Sequence, residues 1–351
     1  MGRLKSALES AARSRAPWRG TCARATAALL ALLCAGPALA YDGKQHQQLM
    51  FLAARQYNVC VEELGLQPIS ALEIRYAARA AVEQADASVF RRMFRWGFYE
   101  REQQTPKSSL WVVETRMHEH FNELLRSLSK ADTARQRFSL AGRIAAYVQD
   151  VSSPVRVVPI YTTRFWRFDT NDRFDNYSIA ERDVAAALAD SCSVLVDDGA
   201  DYDRILRDTA EVTIDAIRQP IDGLPTTWQA FWRLASDPSD FGEYGAAGNR
   251  FGVRTQFRCA AAPLGDATAD PEQDPKERCV LLKADPLYLD FARSQHVLAV
   301  VGTMRVLHRL QHPLQPVEMP DLPGATEAPD VQPSTDDAAL TAAPAAKESD
   351  G

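Results

Sequence analysis

Apolar residues return at helical spacing from Asp42 to about Leu234, and that period directs the chain toward a helical architecture. Leu49, Ala53 and Tyr57 mark one stripe, and Leu72, Tyr76, Ala80 and Val82 belong to a second helix. Met117, Phe121, Leu124, Leu125 and Leu128 fall at i, i+4, i+7, i+8 and i+11, the pattern of a helix with one apolar face. Leu140, Ile144, Tyr147, Val148 and Val151 repeat it in a helix that stops before Pro154, because proline disfavours the helical conformation in the residue preceding it. The same period predicts helices over 178–194, 202–218 and 227–234.

A last helix starts at Asp285-Pro286, a capping residue followed by proline at the first helical position. It runs to about Leu310, with Val297, Val300, Val301, Met304, Leu307 and Leu310 on its buried side. Between Ser236 and Ala284 the helical period is lost, and 251–258 and 278–283 read as two short strands joined by an acidic, Pro-containing loop. The expected fold class is therefore all-α, a helical domain over 41–312 carrying a small hairpin insertion at about 237–284. Beyond Gln311 the chain is rich in Pro, Ala and acidic residues. It has too little apolar surface to offset chain entropy, which predicts disorder over 313–351.

The first forty residues have a composition of their own. Arg3, Lys5, Arg13, Arg15, Arg19 and Arg24 precede an apolar run from Ala25 to Leu33 and a small-x-small site at Ala38-Leu39-Ala40. This is the layout of a cleavable signal peptide. The apolar run is shorter than the about 20 residues a membrane helix needs, so no transmembrane segment is expected after cleavage. The expected location is the periplasm or the outside of the cell. Cleavage after Ala40 changes 40 basic and 46 acidic residues to 34 and 45, a net charge of −11. A chain this acidic lacks the basic stripe of a protein that holds nucleic acid mainly through its phosphates.

Four cysteines remain after that cleavage: Cys60, Cys192, Cys259 and Cys279. An even count in an exported chain points to disulfides. Cys259 and Cys279 flank the hairpin loop and are the expected partners, while their wide spacing argues against a zinc cage. The sequence holds no phosphate-cradling glycine loop, no Gly-x-Ser-x-Gly elbow and no Cys/His nucleophile pair.

The segment Leu140-Ala-Gly-Arg-Ile-Ala-Ala-Tyr-Val-Gln-Asp-Val-Ser-Ser-Pro-Val-Arg156 carries the most chemical information. It resembles the central helix of the zinc-dependent phospholipase C and P-one-type nuclease superfamily. There a helical His is followed by Asp four residues on, Pro four beyond that, and a second His two later. Residues four apart share a helix face and can grip one metal. Asp150 and Pro154 match, whereas Ala146 and Arg156 stand where the two histidines belong. Other landmarks follow in order. Cleavage would expose Tyr41, whose amine and carbonyl correspond to the family's N-terminal ligand, with His46 shortly after. Ala85-Asp86 resembles a helix end that supplies a carboxylate. Gly97-Phe98-Tyr99-Glu100 resembles a His-Phe-Tyr-acid element with Gly97 in place of His. A further His-x-x-x-acid pair should fall near 173–180, where no His exists.

The resemblance implies a helical bundle with Tyr41, His46, Asp86 and Asp150 as a residual ligand set for at most one zinc ion. Gly97, Ala146 and Arg156 are its degenerate ligand positions. Unpaired buried carboxylates are costly, so Arg156 and Arg143 are candidate partners for Asp150. His118 and His120 lie about 200° apart around one helix and cannot share an ion. With His296, His308 and His312 they read as structural histidines, and Trp228 and Trp232 as core. Trp166 and the aromatic, charged stretch 161–175 could border a cleft.

The expected function is a non-catalytic binding or accessory protein, acting on an envelope protein or a phosphate-containing ligand. The alternatives are a metal-dependent phosphodiesterase of reduced metal count, for phospholipid head groups or single-stranded nucleic acid, with Asp150 essential, and a structural envelope protein.

Overall fold

The computed structural model describes residues 41, 43–85, 98–99, 117–160, 164–165, 168–169, 172–196, 199–237, 241–259 and 278–314. Residues 1–40, 260–277 and 315–351, on which the expected signal peptide, hairpin loop and disordered tail fall, lie outside the described residues.

The described chain is mostly helical. Its α-helices are α1 (Gly43–Glu63), α2 (Ala71–Ala85), α3 (Met117–Leu128), α4 (Ala134–Asp150), α5 (Pro154–Val157), α6 (Glu181–Ala187), α7 (Tyr202–Arg218) and α8 (Pro286–Gln311). Local chemistry sets several of their ends. Thr133 and Gln136 form a reciprocal capping box at the start of α4. The Asp201 carboxylate accepts from Arg204 N at 2.8 Å to begin α7. Asp285 accepts from Leu287 N at 3.1 Å, ahead of Pro286 in the first turn of α8.

Helix α4 lies among α1, α2, α3, α7 and α8, and its Ile144, Ala145 and Val148 are fully buried. Two glycines permit the close approaches around it. A Cβ on Gly142 would run into the backbone carbonyl of Ala77 in α2, and one on Gly302 of α8 would stand 2.6 Å from a Val148 methyl of α4. Helix α8 is buried on more than the predicted side. Val300, Met304, Leu307 and Leu310 are buried as expected, but so are Tyr288, Gln295, His296, Thr303 and Val306, while Val297 and Val301 are only half-buried. The reason is its position, with α1, α4 and α7 all packed against it.

Three antiparallel pairs complete the fold: β1 (Arg164–Phe165) with β2 (Phe168–Asp169), β3 (Trp232–Arg233) with β4 (Glu243–Tyr244), and β5 (Thr255–Arg258) with β6 (Arg278–Leu281). The expected hairpin is present, with Phe257 opposite Cys279 and a Cys259–Cys279 disulfide beside it. The first strand is shorter than 251–258, because Phe251–Val253 turn before it. A second disulfide joins Cys60 of α1 to Cys192, 132 residues away. No described helix is long and apolar enough to cross a membrane.

Two expected helices differ. In place of one helix over 178–194 the chain forms α6 and then a 3-10 turn, Ser191–Leu195. Cys192 is held there by Cys60, and the Ser191 hydroxyl donates to Leu188 O at 2.7 Å, terminating α6. The 227–234 stretch is a 3-10 turn, Trp228–Ala230, followed by β3. Its main-chain groups are taken by a neighbouring segment: Gly245 N donates to Phe231 O at 3.1 Å and Ala247 N to Ala230 O at 2.7 Å. Tertiary pairing overrides local period here. Trp228 and Trp232 are buried core residues, as expected, with Trp232 stacked on Phe291 at 5.6 Å.

Candidate functional site

Three described pieces of chain converge where α4 ends. Tyr41 and His46 arrive from the start of α1, Gln149 through Arg156 from the end of α4 and from α5, and Asp172 with Asp175 from the following loop. The Phe174 ring anchors them, lying 6.1 Å from the Tyr41 ring, 5.9 Å from Trp232 and 5.9 Å from His296.

His46 is 1% exposed. Its Nδ1 lies 2.6 Å from Gln149 Oε1, and its Nε2 faces Asp150 Oδ1 at 3.4 Å. The Asp150 side chain is 19% exposed, but its Oδ1 is buried and accepts no hydrogen bond among the described residues. Tyr41 is fully buried, with its hydroxyl 3.3 Å from Ser152 Oγ. The Ser152 hydrogen is already committed to Gln149 O at 2.7 Å, so the Tyr41 phenol is the donor. Burial pushes that phenol far above its ordinary pKa and keeps it protonated.

Asp172 and Asp175 form a second, fully buried carboxylate pair that the sequence reading did not single out. Asp172 Oδ1 accepts from Phe174 N and its Oδ2 from Trp232 Nε1, both at 2.8 Å. Asp175 Oδ1 accepts from the Ser153 hydroxyl at 2.5 Å. Burial raises the pKa of both, and the neighbouring Asp172 charge drives Asp175 well up. Arg156, 9% exposed, acts in the opposite direction: its guanidinium lowers Asp175. Two N–H donors on Asp172 favour its ionised form, so Asp175 is the member that keeps a proton. The available signal was positional, since Asp175 falls inside the 173–180 window where the resemblance called for an acid.

The expected set is thus partly assembled. Tyr41, His46, Asp150 and Arg156 come together, and Ala146 is buried at 1% exposure. Asp86, Gly97 and Trp166 lie outside the described residues. The Tyr99 amide donates to Arg156 O at 2.9 Å. Arg143 is not the partner of Asp150; it pairs with Glu83 of α2 at 3.7 Å. Seven residues are two helical turns, about 10 Å along the axis, too far for contact. His118 packs its ring 5.3 Å from Tyr99, and His120 pairs with Glu123 at 3.1 Å, so the two serve different neighbours.

Chemically, His46 Nε2 and the Asp150 Oδ1 that accepts no hydrogen bond among the described residues face each other at 3.4 Å, a pair that one shared proton or one small cation would bridge. Among the described residues no group of three His, Cys, Asp or Glu side chains could hold a metal ion. The described residues supply two side chains of the expected ligand set, His46 and Asp150. Comparisons with protein-family models, curated proteins and solved structures find no match for this chain.

Proposed function

We propose that this is an exported, non-catalytic binding or accessory protein that keeps a cleft like that of the zinc-dependent phospholipase C and P-one-type nuclease superfamily. The observation that carries this reading is Arg156. A buried guanidinium beside Asp175 stands where the resemblance calls for an imidazole ligand. Arginine stays protonated at any physiological pH and cannot ligate a metal. It supplies the positive charge that a second zinc ion would otherwise bring to these carboxylates. The two disulfides suit an oxidising compartment.

Clustered zinc in such a cleft would activate water and hold a phosphate. In this reading Arg156 meets an anionic group of a phosphate-containing ligand or an envelope protein, and no described residue is assigned to generating a nucleophile. The test is phosphodiester hydrolysis by the mature chain from Tyr41 onward, with added zinc and with a chelator. The reading expects no chelator-sensitive cleavage; a rate that rises in proportion to zinc would sink it.

One observation favours a second reading, a reduced phosphodiesterase with a single ion. It is the His46 Nε2 and Asp150 Oδ1 pair at 3.4 Å. That reading requires Asp150→Asn to abolish activity, and an unchanged rate would remove its chemical basis.

A further inference from the structure

Tyr41 follows the small-x-small site at Ala38-Leu39-Ala40 directly, and it is 0% exposed. Its hydroxyl lies 3.3 Å from Ser152 Oγ, and its ring lies 6.1 Å from Phe174 and 5.8 Å from His296. The residues after it are held as firmly. Gly43, Gln45 and His46 are buried. Gln45 Nε2 donates to Tyr177 O at 2.8 Å, and His46 Nδ1 lies 2.6 Å from Gln149 Oε1. Endoproteases act on exposed, locally unfolded chain, so a bond beside packed structure is cut only when that structure opens. Opening here means withdrawing the Tyr41 ring and breaking the contacts of Gln45 and His46 with it.

We propose that the chain is cut after Ala40 before it folds, and that a folded precursor shields its own processing bond. The proposal rests on the exported reading of residues 1–40 and not on what the cleft binds. The reaction is a hydrolysis: water adds across the Ala40–Tyr41 peptide bond, leaving a carboxylate on Ala40 and an amine on Tyr41. Sequence order opens a window for it. The side chains that bury Tyr41 belong to Ser152, Phe174 and His296, all far downstream. The bridge that ties α1 to the Ser191–Leu195 turn likewise has to wait for Cys192. A chain that crosses a membrane from its N-terminus presents the bond first and receives its covering residues last. The window closes once α8 packs against α1 and α4.

The experiment uses the full chain in detergent with a purified signal peptidase. The peptidase is added either at the moment the reduced chain is diluted from urea, or after refolding and oxidation are complete. The product is read by mass and by N-terminal sequence. Addition at dilution should give cleavage between Ala40 and Tyr41, and addition after folding should give it at least about tenfold more slowly. Gln45→Ala and Ser152→Ala each remove one contact behind the bond without touching it. Both should raise the rate on the folded chain and leave the rate at dilution unchanged. Equal rates for the wild type at the two times would overturn the proposal alone. Cleavage at neither time would overturn the exported reading and this proposal with it.

Discussion

The indole N–H of Trp232 donates to the Asp172 carboxylate across 2.8 Å, with both side chains buried to 1% exposure. The bond ties the β3 segment to the loop that carries Asp172 and favours the ionised form of that carboxyl. Trp232→Phe preserves an aromatic ring but leaves a buried carboxylate oxygen short of a donor. The expected loss is about 1–3 kcal/mol of unfolding free energy, read by denaturant unfolding.

Asp175 predicts a loss of stability on the alkaline side. Its folded pKa is raised by burial and by Asp172. Above the ordinary carboxylate range the folded state therefore binds more protons than the unfolded chain, and stability falls as pH rises. Asp175→Asn keeps an acceptor for Ser153 and removes the titration. Its unfolding midpoint should depend less on pH above about 4 than that of the wild type; equal slopes would contradict the assignment.

His296 acts in the opposite direction. Its ring lies 5.8 Å from Tyr41 and 5.9 Å from Phe174, with Nε2 buried and lacking a hydrogen-bond partner among the described residues. Burial lowers its pKa from 6.5 to about 4. The unfolded chain then binds the extra proton between those values, so stability is full above about 6.5 and is lost as pH falls toward 4. The loss is on the order of 3 kcal/mol, and His296→Leu should flatten that limb.

Sequence period identified the long helices, α4 and α8 among them, although both are packed on several sides. The capping residue Asp285 marked the start of α8 correctly, because a cap is a local hydrogen bond. Period failed at 227–234, where main-chain groups pair with Gly245 and Ala247, and at Cys192, where a disulfide partner 132 residues away sets the geometry. At the end of α4, His46, Asp150 and Arg156 were named from the sequence and lie near one another around Asp175. Gln149 was not, since a glutamine between two apolar-face positions carries no signal until Thr303 is placed against it.

The two close helix approaches give a ranked prediction. Alanine in place of a helical glycine ordinarily gains up to about 1 kcal/mol. At Gly142 the added methyl meets the Ala77 backbone, which cannot give way, whereas at Gly302 it meets a Val148 methyl and the Thr209 hydroxyl. Both substitutions should destabilise by about 1–3 kcal/mol, and Gly142→Ala should be the worse of the two by thermal unfolding.

The disulfides should also rank. Removing the Cys60–Cys192 bridge opens a separation of 132 residues, against 20 for Cys259–Cys279. Loop-closure entropy grows with the logarithm of length, so serine pairs should cost about 5 and about 3 kcal/mol respectively. The comparison is made by denaturant unfolding of the two double variants.

The central claim is that Arg156 has replaced metal charge in the cleft. Its most direct test is the zinc content of the mature chain, purified from Tyr41 onward with no residue added before it. The account predicts at most one ion per folded chain, with Arg156→His raising that capacity. Two or three ions bound to the wild-type protein would contradict it.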